Sequence, residues 1–198
     1  MPELPEVETL RRALLPLVVN KTCTGLSFYR EDIRFPIPQD TLQAHFSQQV
    51  VHEIQRLGKY LLLKVPHGAM LLHLGMSGRV TLNNSMAIQE KHTHAIFQFG
   101  AKTCLHFVDP RRFGCILWVP QNGEHPLLDK MGPDPFSPEA NAQALKIRAR
   151  KCKSPIKTFI MDARRITGIG NIYACESLFQ AGINPQRQAG RITLAEWD

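Results

Sequence analysis

The sequence predicts an α+β fold: one opening helix, then an antiparallel β-sandwich or barrel, then a helical region. Three observations carry this expectation. Apolar residues recur at helical spacing near the start, short apolar runs bounded by turn residues fill residues 22 to 119, and two Ser-Pro helix starts follow a Pro- and Gly-rich break.

In the opening segment Val7, Leu10, Leu14, Leu17 and Val18 share a helical face. Pro5 suits the first turn, and Glu6 and Glu8 favour the positive end of the helix dipole. The helix should fade between Pro16 and Asn20. Strands are expected at 22–30, 50–56, 59–65, 69–74, 78–82, 93–99, 103–108 and 115–119, with hairpin turns at His67-Gly68 and Gly100-Ala101-Lys102. So many short strands suit a sandwich or barrel. Residues 120 to 138 hold five prolines and two glycines, which places a domain boundary there; we set the domains at 1–133 and 134–198. Ser137-Pro138 and Ser154-Pro155 each pair an N-cap residue with proline at the first helical position. Ile156, Phe159 and Ile160 form the inner face of the second helix. Gly168-Ile169-Gly170 then breaks the chain, and Asn171 opens a helix that ends near Gly182. Thr193-Leu194-Ala195-Glu196 is a capping-box signature. Because one turn cannot sustain itself, a helix opening just before Asp198 predicts a truncated chain.

Hydrophobic residues make up 43% and charged residues 21% of the chain, an ordinary globular balance. No apolar run is long enough to span a membrane, and MPELPEVE lacks the pattern of an export signal. Cys23, Cys104, Cys115, Cys152 and Cys175 are scattered and form no C-x-x-C pair. This speaks against a disulfide framework or a cysteine zinc site within the chain and suits a reducing cytosol. The net charge is +7, and residues 146 to 165 alone hold eight basic side chains (Lys146, Arg148, Arg150, Lys151, Lys153, Lys157, Arg164, Arg165) against one acid, Asp162. Such a stripe is the footprint of a polyanion, or else a solvated helix face.

Several segments carry chemistry. With Met1 removed, Pro2 presents a secondary amine that titrates near ~8, so a useful fraction is neutral and nucleophilic. Attack of that amine on a sugar C1′ forms an iminium, and the neighbouring Glu3 can move protons at the sugar ring. The plain alternative is a helix start. Lys59 in Leu57-Gly58-Lys59-Tyr60 is either a solvated edge charge or a cation beside phosphate or sugar. His73-Leu74-Gly75-Met76-Ser77-Gly78 and Asp109-Pro110-Arg111-Arg112-Phe113-Gly114 read as two turns. Met76, Arg111 and Phe113 suit a wedge that fills the space left by an extruded nucleotide; by residue type alone, Met76 and Phe113 read more readily as core residues. Gly168-Ile169-Gly170-Asn171 either opens a helix whose free N–H groups favour phosphate or is a plain tight turn between helices. His92 and His94, two apart, would share one face of a strand and suit phosphate contact better than zinc.

In this order, MPELPEVETLRR, LGKYLLL, HLGMSGR, KHTH, DPRRFG and GIGNIYACESLFQAGI resemble the formamidopyrimidine-DNA glycosylase family over residues 1 to about 190. PELPEVE and GNIYACESL fit its purine-specific branch better than the endonuclease VIII branch. The resemblance implies an N-terminal two-layered antiparallel β-sandwich flanked by helices, followed by a helix–two-turn–helix domain. It implies Pro2 as the Schiff-base nucleophile, Glu3 as proton donor and acceptor, Lys59 as proton donor or phosphate contact, and Glu6 as its support. His73, His92, Lys157 and Asn171 would grip phosphates. Met76, Arg111 and Phe113 would fill the gap, with Arg111 facing the orphaned cytosine. The partner would be double-stranded DNA containing 8-oxoguanine or ring-opened purines, with base excision followed by β,δ-elimination. The protein would act as a monomer in the bacterial cytoplasm, away from membranes. The family continues into a four-cysteine zinc finger, so one structural zinc is expected in a full-length member and no cofactor in this chain. Lys151-Cys152-Lys153 also replaces an expected cation. The competing reading is therefore a non-catalytic fragment that binds damaged DNA.

Overall fold

The structure is a computed structural model that describes residues 2–88 and 90–198. Met1, whose removal exposes the Pro2 amine, and Gln89 lie outside the described residues. The chain divides into two compact units, Met1–His125 and Pro126–Asp198. The division falls earlier than 133/134. Residues before that point side with the helical unit because Gly132 N–H donates to Ala163 O (2.8 Å) and Thr167 N–H to Pro133 O (2.9 Å).

The first unit opens with helix α1, Leu4–Val18, which buries Val7, Leu14 and Val18 as the apolar spacing requires. Two antiparallel sheets follow. The first has the order β2-β1-β7-β8-β6, with β1 Lys21–Phe28, β2 Val50–Val51, β6 Arg79–Asn83, β7 Thr93–Phe99 and β8 Thr103–Val108. The second has the order β3-β4-β5-β9, with β3 Glu53–Leu57, β4 Tyr60–Val65, β5 Gly68–His73 and β9 Cys115–Pro120. One core joins the two layers: Leu61, Leu63, Met70, Leu72 and Ile116 from one sheet pack with Phe97, Phe99, Leu105 and Phe107 from the other.

Two sequence expectations shift, and one element has none. The run 50–56 divides at His52, so β2 and β3 lie in different sheets; His52 N–H donates to Lys64 O (3.0 Å) at the crossing. The first hairpin turns at Pro66-His67, since Gly68 already pairs with Val65. Helix α2, Gln39–His45, has no counterpart in the sequence reading, because it is one short helix anchored by Leu42 and the following Phe46.

The second unit has its own core of Leu145, Ile156, Phe159, Ile160, Ile166, Leu178 and Ile192, among others. Ser137-Pro138 opens a 3₁₀ turn, Pro138–Ala140, rather than an α-helix. The helix α3, Ala142–Ala149, starts at Asn141, whose side chain accepts from Ala144 N–H. Helix α4, Ile156–Met161, begins one residue late: Pro155 sits at its N-cap, and the Ser154 hydroxyl lies 2.9 Å from the Cys152 thiol. Helix α5, Asn171–Gln180, follows Gly170, and α6, Leu194–Trp197, carries the predicted capping box at Thr193 and Glu196. The five cysteines are free; Cys23, Cys104 and Cys115 are buried, Cys152 is half-buried and Cys175 is exposed. Among the described residues, no helix is long and apolar enough to cross a membrane.

Candidate functional site

Helix α1 begins immediately after Pro2-Glu3. Glu3 holds the extended N-cap conformation, and its N–H donates to Glu6 Oε2 (2.9 Å), so the Glu at the third helical position closes the start as a capping residue does. Glu3 is only 1% exposed, while Pro2 is half-buried. Lys59 occupies the two-residue loop Gly58-Lys59, which the pairing of Leu57 with Tyr60 closes. Gly58 has φ +56°, and glycine tolerates that left-handed value at the first position of a tight hairpin loop. Burial lowers the Lys59 amine pKa, and the carboxylates of Glu3 and Glu6 oppose that shift. Three sequence-predicted residues thus share one electrostatic neighbourhood.

The helix and the Lys59 hairpin are tied together by Glu8, which the sequence assigned only to the helix dipole, and by three arginines. Glu8 accepts from Arg11 (2.8 Å), Arg12 (2.9 Å) and Arg56 (3.1 Å). Arg56 also donates to Gly58 O (3.1 Å), and Arg11 to Ile54 O (3.3 Å). Arg11 foremost, with Arg12 and Arg56, holds the Glu8 carboxyl down to about 2.

His73 ends β5 opposite Tyr60, with ring centroids 4.8 Å apart. Its Nδ1 accepts from Gly75 N–H (3.0 Å). Burial first, then the positive charges of Arg34 and Lys59, push its pKa down to about 4. The ring is therefore neutral near pH 7 and presents an Nε2–H donor. A phosphate here would meet a hydrogen-bond donor rather than an imidazolium. Arg34 is exposed, its backbone N–H donates to Gly114 O (3.3 Å), and it is a cation that sequence pattern did not single out.

Met76 and Phe113 are 41% and 43% exposed, which overturns the core reading for both. The Arg111 guanidinium lies 4.9 Å from the Phe113 ring centroid. The two turns press backbone to backbone: Gly75 has φ +62°, and a Cβ there would sit 2.3 Å from the Phe113 carbonyl carbon. The expectation that His92 and His94 share a face is wrong. His92 precedes β7 with φ +67° and is exposed, the register shifts between Thr93 and Ala95, and His94 is buried with Nε2 2.7 Å from Asp109 O. Left-handed backbone and a bulge together break the two-residue alternation.

In the helical unit, Lys157 is half-buried on the first turn of α4, and Asn171 is exposed as the first residue of α5. Gly168, with φ +83°, turns the chain into that helix. Of the basic stripe, Lys146 donates to Ile192 O (2.7 Å), Arg164 pairs with Asp162 (2.8 Å) and Arg165 lies over Phe159. Arg148, Arg150, Lys151 and Lys153 are exposed. Among the described residues, no group of three or more His, Cys, Asp or Glu side chains could hold a metal ion; a four-cysteine zinc site does not fit these residues.

Comparison with known proteins adds independent findings. Residues 1–116 match the family model for the formamidopyrimidine-DNA glycosylase N-terminal domain, and residues 131–198 match that for the formamidopyrimidine-DNA glycosylase H2TH domain. Over 197 residues the chain is 44% identical to a formamidopyrimidine-DNA glycosylase of Acidithiobacillus ferrooxidans, covering all of this chain (100%) and 73% of that protein. The corresponding protein of Ruthia magnifica is 42% identical, with 100% and 72% covered. The fold is similar to the Lactococcus lactis glycosylase bound to DNA with an AP site (TM-score 0.89, 27% identity, 98% of this chain and 75% of that one). It is also similar to MutM in complex with DNA containing carbocyclic 8-oxo-G (TM-score 0.90, 28% identity, 99% and 74%).

Proposed function

The chain belongs to the formamidopyrimidine-DNA glycosylase family, and on that premise we propose that it excises oxidised purines from duplex DNA through a Schiff base on Pro2. The grouping of Glu3, Glu6 and Lys59 around the start of α1 is the observation that carries this reading. With Met1 removed, the neutral Pro2 amine attacks C1′ as the C1′–N bond to the damaged base breaks, and the departing base takes a proton. Glu3, buried against the helix start, protonates the ring oxygen so that the sugar opens to the iminium. Loss of a C2′ proton then expels the 3′ phosphate, and a second elimination expels the 5′ phosphate; water hydrolyses the iminium and restores the amine.

Lys59, its basicity reduced by burial, serves as the proton donor or phosphate contact beside these carboxylates, and Glu6 anchors the backbone of Glu3. His73 donates Nε2–H to a phosphate, while His92, Lys157 and Asn171 take flanking phosphates from exposed or half-buried positions. Met76, Arg111 and Phe113 enter the stack, with Arg111 on the orphaned base. We place the reaction in the bacterial cytoplasm, where the DNA is, with the protein acting as a monomer. The structural zinc of the family, where present, is held by residues other than those described here.

Borohydride trapping on a duplex containing 8-oxoguanine tests this reading. The chain with Pro2 first should be captured covalently, and a version with one uncleaved residue ahead of Pro2, which converts the amine to an amide, should not. Equal capture of both would refute Pro2 as the nucleophile. Lesion binding by the Pro2 form without capture would favour the non-catalytic reading.

A further inference from the structure

The strongest unassigned feature is a buried carboxylate at which three of the sequence motifs meet. Asp109 is 0% exposed, and its carboxylate is satisfied by hydrogen bonds from two different turns. Oδ1 accepts from Ser77 Oγ (2.8 Å), on the Met76 turn, and from Arg111 N–H (3.3 Å). Oδ2 accepts from Gly114 N–H (2.7 Å), immediately after Phe113. Ser77 Oγ in turn accepts from Arg111 N–H (3.3 Å). The Asp109 backbone extends the junction: its N–H donates to His92 O (3.1 Å), its carbonyl meets His94 Nε2 (2.7 Å), and Arg112 N–H donates to it (3.2 Å).

A buried charge is tolerable only where it is fully hydrogen-bonded. Placing one between two exposed turns makes the position of each depend on the other. The side chains at the tips, Met76, Arg111 and Phe113, are exposed, so burial does little to hold them in place. The left-handed backbone of Arg112, φ +56°, also needs an external restraint.

We propose that Asp109, acting with Ser77, is a positioning residue that locks the Met76 turn and the Arg111–Phe113 turn into one rigid wedge. By fixing where Arg111 stands, it sets discrimination of the base opposite the lesion. The second clause rests on the function proposed above; the lock itself belongs to the free protein.

Amide hydrogen exchange on the free chain tests the lock. Ser77→Ala deletes a half-buried hydroxyl and leaves the core intact. It should speed exchange at Arg111 and Gly114 about tenfold, the scale of one lost hydrogen bond to a charged group, while β4 and β8 amides remain the slowest of the first unit. Asp109→Asn, which cannot accept at both oxygens, should speed the same amides further, and the double variant should add little to it. Unchanged exchange at Arg111 and Gly114 in Ser77→Ala overturns the proposal. The second measurement is the ratio of affinities for duplexes with cytosine or adenine opposite a stable abasic analogue. Ser77→Ala should reduce that ratio several-fold while the chain stays folded, its Tm lowered by only a few degrees; a ratio equal to that of the unaltered chain overturns the reading role. If the unaltered chain binds none of these duplexes, the proposed function fails and with it the reading role, while the exchange result still decides the lock.

Discussion

Replacing Glu8 with Gln keeps the shape of the side chain but removes the charge that Arg11, Arg12 and Arg56 share. The Glu8 pKa falls from 4.5 to about 2, which at ~1.36 kcal/mol per unit sets an upper bound of ~3–4 kcal/mol on the contribution of the charged form. Water screens part of this. The Arg12 side chain is 74% exposed and adds little, whereas Arg56 is 12% exposed against a Glu8 that is 20% exposed. A cost of ~1–2 kcal/mol at pH 7 is the expectation. Because the folded pKa lies below the unfolded one, the stabilisation is complete above pH 4.5 and is lost as pH falls toward 2. The cost of Glu8→Gln should therefore shrink to less than half its neutral value by pH 3. Urea unfolding at pH 7 and pH 3 measures it. A Trp197→Phe background leaves Trp118 as the sole tryptophan, so the signal reports the first unit alone and avoids mixing two transitions. An equal cost at both pH values would show that Glu8 acts through shape and packing, and would refute the electrostatic argument.

Three further outcomes follow from the same geometry. The His73 ring should titrate by NMR with a midpoint near about 4; because its folded pKa is lowered, His73 withdraws stability as pH falls below ~6.5, and a midpoint near that ordinary value would remove the neutral-donor role. Gly75→Ala should destabilise the chain by ~2 kcal/mol or more in urea unfolding, since both the +62° φ and the 2.3 Å approach to Phe113 resist a Cβ. Met76→Ala and Phe113→Ala should each change stability by less than ~1 kcal/mol, while Phe107→Ala, fully buried, should cost ~3–5 kcal/mol; comparable costs at all three positions would mean that the two tips are packed.

The parts of the fold read most easily from sequence are those with an uninterrupted pattern. Val7, Leu14 and Val18 mark α1 by helical spacing, and short apolar runs bounded by turn residues mark β4, β5, β7, β8 and β9. Helix α2 escapes because Leu42 and Phe46 are its main anchors, and the crossing at His52 escapes because no Gly, Pro, Asn or Asp interrupts residues 50–56, which therefore read as one strand. At the site, Glu3, Glu6, Lys59, Met76, Arg111 and Phe113 are legible through motif order. Their supports are less so. Asp109 reads as an ordinary Asp-Pro turn residue, and its carboxylate finds a hydroxyl partner in Ser77, 32 positions away in the chain. The Glu8–Arg11 and Glu8–Arg12 pairs follow from helical spacing, but Arg56 joins them only through tertiary contact. His92 and His94 mislead because strand alternation presumes regular backbone.

The five thiols sit in sharply different surroundings, and that turns them into a gauge. Burial pushes Cys23 and Cys115 up to about 12 and raises Cys104 as well, so at neutral pH none of the three offers the thiolate that alkylating reagents attack. Cys175, on the open side of α5, is accessible. Peptide mapping after brief alkylation thus counts how many sheet-unit sulfurs have become reachable, reporting opening of that unit, while the adduct on Cys175, resolved from the half-buried Cys152, serves as internal standard.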